Sequence, residues 1–361
     1  MRPRPTRRTS AALFCALLTS ATPNFRSELR AQPAPQLRAA RSWTVARDPF
    51  LDLWFHCLAT VGYEGFGPLT LYDARYADRA RAEKRHMGVT TILDRKAVEL
   101  RDAFVSDSAF EVLHFVQLYF SGQEPHLALA NLRRALDEPN ASNDAIARLI
   151  VSSLPAARER AAFRSFIDAA DDEWNSFVRQ SHAAHAVDDA RFTRELQRAW
   201  DARFTRPLDW YFAAMGMAGG MIVVSPAVGS EGRIVRDADG SVVVAVSSER
   251  RSSAISPLLA SVRELAFPLL DRLHAPPDRR PTRVAAARAR DAAAVRAGAL
   301  ILDASDSALA VEYRRLFLDL SGGRSFESAY PIDITAESEL RDLIAASSRG
   351  VATRRTSYEN R

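Results

Sequence analysis

The stretch GGMIVVSPAVGSEGRIVRDADGSVVVAVS, residues 219–247, sets the fold class of this chain. It contains three short runs rich in β-branched residues, at 221–225, 233–236 and 241–246, and such runs favour β-strands. The last two runs are joined by a turn that contains the dipeptide Asp-Gly, which is typical of tight hairpin turns. We therefore predict three short strands here, the last two of them paired as a β-hairpin.

On both sides of this stretch the apolar residues recur with the period of an α-helix. The first helix is predicted to begin at Asp48, an N-cap residue followed by proline, and to end at Gly62. The other helices before the strands are predicted at 78–104, 108–120, 125–136, 143–151, 155–169, 173–185 and 189–204, and one more begins at Pro207. After the strands, helices are predicted at 256–273, 282–302, 307–320 and 336–346.

These patterns predict a mainly α protein with a small β-hairpin or sheet, an α+β fold whose helical N-terminal half precedes a smaller α+β half. The predicted division of the chain is a signal peptide at 1–31, a linker at 32–47, a helical domain at 48–216, an α+β domain at 217–348 and a disordered tail at 349–361.

The N-terminal residues are typical of a bacterial secretory signal peptide. Four arginines lie within the first eight residues, and an apolar run follows from Ala11 to Ala21. That run is shorter than the roughly 20 residues that cross a bilayer, and no later segment is longer, so no membrane span is expected. We predict a periplasmic or secreted protein, with cleavage after Ala21 or after Ala31.

Net charge bears on the class of ligand, and cysteine content bears on whether a disulfide can form. The whole chain has a net charge of +5, and residues 1–31 carry the same +5, with six arginines and one glutamate. The remainder is therefore near neutral and lacks the positive charge expected of a nucleic-acid-binding protein. Without the leader a single cysteine, Cys57, remains, so no intramolecular disulfide is expected.

The helix predicted at 256–273 carries the sequence Val-Arg-Glu-Leu-Ala-Phe at 262–267. The chain is predicted to begin with a helical half, which is followed by a hairpin, by the helix with this sequence and by a later helix that carries an acidic residue. This order resembles the zincin metallopeptidases of the gluzincin type, with Arg263-Glu264-Leu265-Ala266-Phe267 in place of their His-Glu-x-x-His. The resemblance implies a zincin-like C-terminal half in which Glu264 and, as a third-ligand position, Glu312 are remnants of a catalytic site.

The replaced histidines argue against catalysis. The Arg263 guanidinium stays protonated and repels a dication, and the Phe267 ring has no lone pair, so tetrahedral zinc would lose two of its three protein ligands. We therefore expect no intact catalytic residue, no metal and no cofactor. The chain is interpreted as a pseudo-metallopeptidase that binds or scaffolds an unidentified peptide or protein. A plain amphipathic helix with Glu264 on a solvated face is the other interpretation.

A second hypothesis is an active metal-dependent hydrolase with a non-standard site. His182 and His185 lie three residues apart on a predicted helix, and Asp189 follows one turn later, so the three side chains can share one face. His56 and Cys57 are adjacent and therefore point about 100° apart on their helix. That separation favours a buried Cys57 over a nucleophilic pair, and the remaining histidines suggest no site.

Overall fold

A computed structural model describes residues 42–63, 69–106, 108–138, 145–249, 253–273 and 283–359. The predicted fold class is confirmed: the protein is mainly helical and contains one small sheet of four strands. The predicted signal peptide, residues 1–31, lies outside the described residues. Across the described part of the chain, no helix is both long and apolar enough to cross a bilayer.

The first half of the protein is a set of packed helices. The first of them begins after Asp48, whose carboxylate accepts a hydrogen bond from the amide of Leu51 at 2.9 Å, as an N-cap does. The helices of this half are α1 (Pro49–Val61), α2 (Ala74–Met87), α3 (Ile92–Ser106), α4 (Pro125–Asp137), α5 (Ala145–Ser153), α6 (Ala157–Glu173), α7 (Arg179–Arg203) and α8 (Thr205–Met215).

Three details of this half differ from the prediction. The helix expected at 78–104 is two helices, since Gly88 ends α2 in a left-handed conformation. The segment expected as an α-helix at 108–120 forms two 3₁₀ helices, Ser108–His114 and Val116–Phe120. Helices α6 and α7 are continuous through one π-helical segment, Trp174–Val178, whereas two breaks were predicted, after 169 and after 185.

The sheet contains the three predicted strands and one that was not predicted. Its strands are β1 (Trp43–Ala46), β2 (Gly219–Ser225), β3 (Arg233–Arg236) and β4 (Ser241–Ser247), in the order β1-β2-β4-β3. Strands β1, β2 and β4 are parallel, and β3 pairs antiparallel with β4. The hairpin turn is confirmed, with Gly240 at a φ of 87°, where glycine is favoured over other residues.

Strand β1 corrects the prediction that 32–47 is a linker. Its four residues pair in register with Gly220 to Val223 of β2, far along the chain. The outer edge of β1 is covered by Gln197 of α7, whose amide accepts from the Val45 amide at 2.7 Å and donates to the Trp43 carbonyl at 3.1 Å. The side chain thus bonds to backbone groups at the edge of the sheet that would otherwise be free to pair with a strand of another chain.

The sheet lies between two apolar cores, and its alternating side chains divide between them. Val223 and Ala245 pack with the helices of the first half. Ile222, Val224 and Val244 pack on the opposite face, with α8 and the helices that follow the sheet. Because a strand presents successive side chains to opposite faces, the sheet joins the two halves of the protein.

The helices after the sheet are α9 (Ser256–Leu265), α10 (Phe267–Leu270), α11 (Arg283–Asp303), α12 (Ser307–Ser321), α13 (Phe326–Ala329) and α14 (Ile334–Glu359). The single helix predicted at 256–273 is interrupted at Ala266, because Pro268 cannot supply a backbone donor and disturbs the turn before it. Helix α14 is longer than predicted and extends into 349–361, which was predicted to be disordered.

Candidate functional site

Helix α9 holds Arg263 and Glu264 in the interior of the protein. Each residue is only 1% exposed. Helix α9 packs on β4 and also against α11 and α12, so no side of it faces water at this level. The interpretation of Glu264 as a carboxylate on a solvated face is therefore wrong.

The guanidinium of Arg263 lies between two carboxylates. Its Nη1 donates to Oε1 of Glu264, and its Nη2 donates to Oδ1 of Asp291 at 2.6 Å. Asp291, on α11, is 6% exposed. The Cζ of Arg263 also lies 5.3 Å from the centre of the Phe267 ring, within the range of a cation–π contact.

The edge of the sheet completes this group of charges. The amide of Gly232, just before β3, donates to Oε1 of Glu264 at 3.1 Å. A Cβ at this glycine would lie 2.8 Å from Cγ of Glu264, so the approach requires glycine. Next to it, Nη1 of Arg233 donates to Oε1 of Glu231 at 2.7 Å. We name these five side chains the central charge cluster: Glu231, Arg233, Arg263, Glu264 and Asp291.

Burial sets the pKa values in the central charge cluster. Desolvation raises the pKa of Asp291 to about 6 even though Arg263 opposes it. Desolvation also raises the pKa of Glu264, against the attraction of Arg263. The pKa of Arg263 is raised: burial lowers it, but Glu264 and Asp291 more than compensate. The guanidinium is thus a permanent cation, and the carboxylates exceed the available positive charge by one.

The raised pKa of Asp291 predicts a pH dependence of stability. Its pKa is about 6 in the folded protein and 3.8 as the ordinary value, so between those limits the folded state binds more protons. This group therefore makes folding less favourable as pH rises from about 4 to 6. In Asp291→Asn, we expect urea midpoints measured at pH 4, 5 and 6 to rise more steeply with pH than in the wild type.

The control for this prediction is Asp188→Asn, because the side chain of Asp188 is 74% exposed. That variant should keep the wild-type pH slope. Identical slopes for Asp291→Asn and the wild type would contradict the assignment of a raised pKa to Asp291.

The other predicted remnant, Glu312, lies elsewhere. Its Oε1 accepts from Nη2 of Arg203 at 2.6 Å, and its Oε2 accepts from the hydroxyl of Ser253 at 3.4 Å. The carboxylate that meets Arg263 comes instead from Asp291. Sequence reasoning missed Asp291 because it lies in an alanine- and arginine-rich helix with no motif around it.

The alternative metal site is not formed. His185 contacts the backbone carbonyl of Ser181 through Nδ1 at 2.8 Å, and Asp189 pairs with Arg47 at 3.0 Å. His182 lies 3.9 Å from a carboxylate oxygen of Asp52. In the described ranges, no group of three or more histidine, cysteine, aspartate or glutamate side chains is arranged to hold a metal ion.

A second buried charge network lies in the helical half, and sequence reasoning missed it. Nζ of Lys84 lies 2.9 Å and 3.0 Å from the two carboxylate oxygens of Glu173, and Nε2 of His56 lies 2.8 Å from the same carboxylate. Thr91 donates to it at 2.5 Å. Lys84 is 3% exposed, and His56 and Glu173 are fully buried. We name Lys84, His56, Thr91 and Glu173 the helical charge network.

The helical charge network is well satisfied. Burial alone would raise the pKa of Glu173, but His56, Lys84 and Thr91 lower it to about 2. Nδ1 of His56 also contacts the Tyr76 hydroxyl at 2.9 Å. One signal was available: Lys84 is one of only two lysines in an arginine-rich chain.

His114 lies between the helical half and the sheet edge. Its ring stacks on Tyr63 at a centroid distance of 4.4 Å, and its Nδ1 contacts the Tyr72 hydroxyl at 2.7 Å. Burial, together with Arg233, holds the pKa of His114 well below its usual value. The ring is therefore neutral, and it packs as part of the boundary between the two halves.

The arrangement does not suit a zinc ion. Positions 263 and 267, where the resemblance would require histidines, hold a guanidinium and a phenyl ring, and Glu264 and Asp291 are already bonded to that guanidinium. Comparison with family models, with curated proteins and with solved structures gave no match to this chain. The geometry alone therefore bears on function, and it favours an internal ion cluster over a metal centre.

Proposed function

We propose that this chain is an exported, catalytically inactive metallopeptidase-like protein that binds or scaffolds a peptide or protein ligand. The export expected from residues 1–31 is part of the proposal. The observation that carries the inactivity is the position of the Arg263 guanidinium, bonded to both Glu264 and Asp291. In this proposal a fixed internal cation takes the place of a bound dication.

The order of elements supports the zincin-like part of the proposal. Helices α1 to α8 lie between β1 and β2, the β3–β4 hairpin follows β2, and α9 carries Glu264 directly after the hairpin. Glu264 faces the hairpin through the Gly232 amide. Helix α11, which follows the short helix α10, brings Asp291 to Arg263. In the proposed frame Asp291 takes the third-ligand position that the resemblance assigned to Glu312.

Restoring the two histidines tests this frame. The variant Arg263→His/Phe267→His would offer two imidazoles and the Asp291 carboxylate, a donor set suited to tetrahedral zinc. We expect it to bind one equivalent of Zn²⁺ in equilibrium dialysis and to gain thermal stability on zinc addition, since a ligand that binds only the folded state stabilises it.

The matched control is Arg263→Ala/Phe267→Ala, which removes the same groups and adds no ligand. It should bind no zinc, and the wild type should neither retain zinc nor hydrolyse peptides. A histidine variant that is folded by circular dichroism yet binds no more zinc than the alanine control would refute the zincin-like frame. Zinc-dependent peptide hydrolysis by the wild type would refute the inactivity.

A further inference from the structure

A shallow groove of about 430 Å³ lies on the helical half, between α3, α4 and the first turns of α6. This volume falls in the range of small-molecule sites, roughly 300–1,000 Å³. Its apolar lining comes from Leu136, Ala157 and Ala161, and three cations line it as well: Lys96, Arg160 and Arg164. The groove contains no residue of the central charge cluster or of the helical charge network.

Two of the three cations lack a carboxylate partner among the described residues. Arg160 donates through Nη1 to the backbone carbonyls of Leu154 and Pro155, at 2.9 Å and 2.6 Å. Lys96 donates through Nζ to the hydroxyl of Ser165 at 2.9 Å. These partners orient the two cations without neutralising them.

The nearby carboxylates are already used. Asp137 pairs with Arg164, and Asp168, the acidic residue in the lining, pairs with Arg133 at 3.0 Å. The groove therefore keeps an excess of about two positive charges beside an apolar floor.

We propose that this groove binds a small organic carboxylate with a short aliphatic chain. The carboxylate group would accept a charge-assisted hydrogen bond from Lys96, beside Ser165. Arg160, which bonds to the carbonyls that precede α6 at the other end of the groove, would add positive potential. The aliphatic chain would cover Leu136, Ala157 and Ala161, and this burial distinguishes the ligand from a fully hydrated inorganic anion. The proposal does not depend on the function proposed above.

The test is an isothermal calorimetric titration of the full chain with octanoate. We expect saturable binding of one equivalent, weakened about tenfold in Lys96→Gln, the change that roughly 1.4 kcal/mol produces, and by a smaller factor in Arg160→Gln. The matched control is Arg95→Gln, which removes an exposed cation from α3 outside the groove and should leave the affinity within about twofold.

A second variant tests the contribution of the groove's shape separately from that of its charges. Ala161→Trp fills an exposed small position in the lining, keeps every charge, and should abolish octanoate binding. In the wild type, 1-octanol and inorganic phosphate should each bind far more weakly than octanoate. The proposal is overturned by an absence of octanoate binding, by equal affinity in Lys96→Gln, Arg160→Gln and the wild type, or by phosphate binding as tightly as octanoate.

Discussion

Replacing Arg263 by methionine is expected to lower the free energy of unfolding by about 3–5 kcal/mol. The change leaves the Glu264 and Asp291 carboxylates in the interior without the guanidinium that bonds to both. A buried charge that loses its partner costs far more than the net gain of the original pair. Urea denaturation at pH 7, followed by circular dichroism, measures the loss.

The pH dependence of this loss is part of the prediction. Because the pKa values of Asp291 and Glu264 are raised, these carboxylates take up protons more readily than exposed carboxylates once the guanidinium is removed. The destabilisation by Arg263→Met should therefore be smaller at pH 5 than at pH 7. An effect of equal size at both values would show that the carboxylates are not the source of the cost.

Two further variants complete this test. The triple variant Arg263→Met/Glu264→Gln/Asp291→Asn removes all three charges while keeping similar side-chain volumes, and it should recover most of the lost stability. The surface control is Arg191→Met, since Arg191 and its partner Asp188 have side chains that are 69% and 74% exposed. Exposed pairs contribute little, so this control should change stability by less than about 0.5 kcal/mol. A loss below about 1 kcal/mol in Arg263→Met would contradict the buried cluster.

The second large effect is expected for Glu173→Gln, which should also cost about 3–5 kcal/mol. The substitution removes the fully buried carboxylate that bonds to Lys84 and His56. Lys84 then keeps only the partly exposed carboxylate of Asp94, 2.6 Å from its Nζ. The lowered pKa gives a similar figure: a fall from 4.5 to about 2 corresponds to about 3 kcal/mol, at 1.36 kcal/mol for each pKa unit. Chemical denaturation at pH 7 measures the difference.

The pH dependence has the opposite sign to that of Asp291. A carboxylate whose pKa is lowered on folding contributes its full stability above its unfolded pKa and loses it as pH falls. In the wild type this loss should occur between about pH 4.5 and 2, the two pKa values of Glu173. Glu173→Gln should lack that part of the acid transition.

The partner of Glu173 supplies the control. Asp94 also lies 2.6 Å from the Lys84 Nζ. In Lys84→Met/Asp94→Asn/Glu173→Gln the buried ammonium is therefore removed together with both carboxylates that pair with it, and the triple variant should be more stable than Glu173→Gln alone. If Glu173→Gln is as stable as the wild type at pH 7, or if the triple variant is less stable than Glu173→Gln, the buried charges do not stabilise the helical half as argued.

Local patterns in the sequence predicted most of the elements but not the positions of the charges. The hairpin at 233–246 was predicted because its turn and its alternating apolar residues are neighbours in sequence. Strand β1 was not predicted, since four residues of mixed character become a strand only by pairing with Gly220 to Val223. A strand whose partner lies more than 170 residues away leaves little local pattern.

The candidate site shows the same division. Helical periodicity placed Glu264 opposite the apolar side of α9 and Arg263 on a flank, and it left open whether Glu264 lines a cleft or faces water. In the protein these two residues face Asp291 of α11 and the Gly232 amide. The burial of α9 on several sides depends on how the hairpin and α11 return to it, which the period of one helix does not encode.

The amino-acid sequence by itself determined the fold class, the hairpin and the absence of zinc-ligating side chains at 263 and 267, because strand propensity, turn chemistry and ligand chemistry belong to individual residues and their near neighbours. Tertiary structure alone decided that Arg263 pairs with Asp291, that Lys84 pairs with Glu173 and that Glu312 lies apart from both. The physical reason is that a charge is stabilised by its environment, and for a buried charge that environment is assembled from distant parts of the chain.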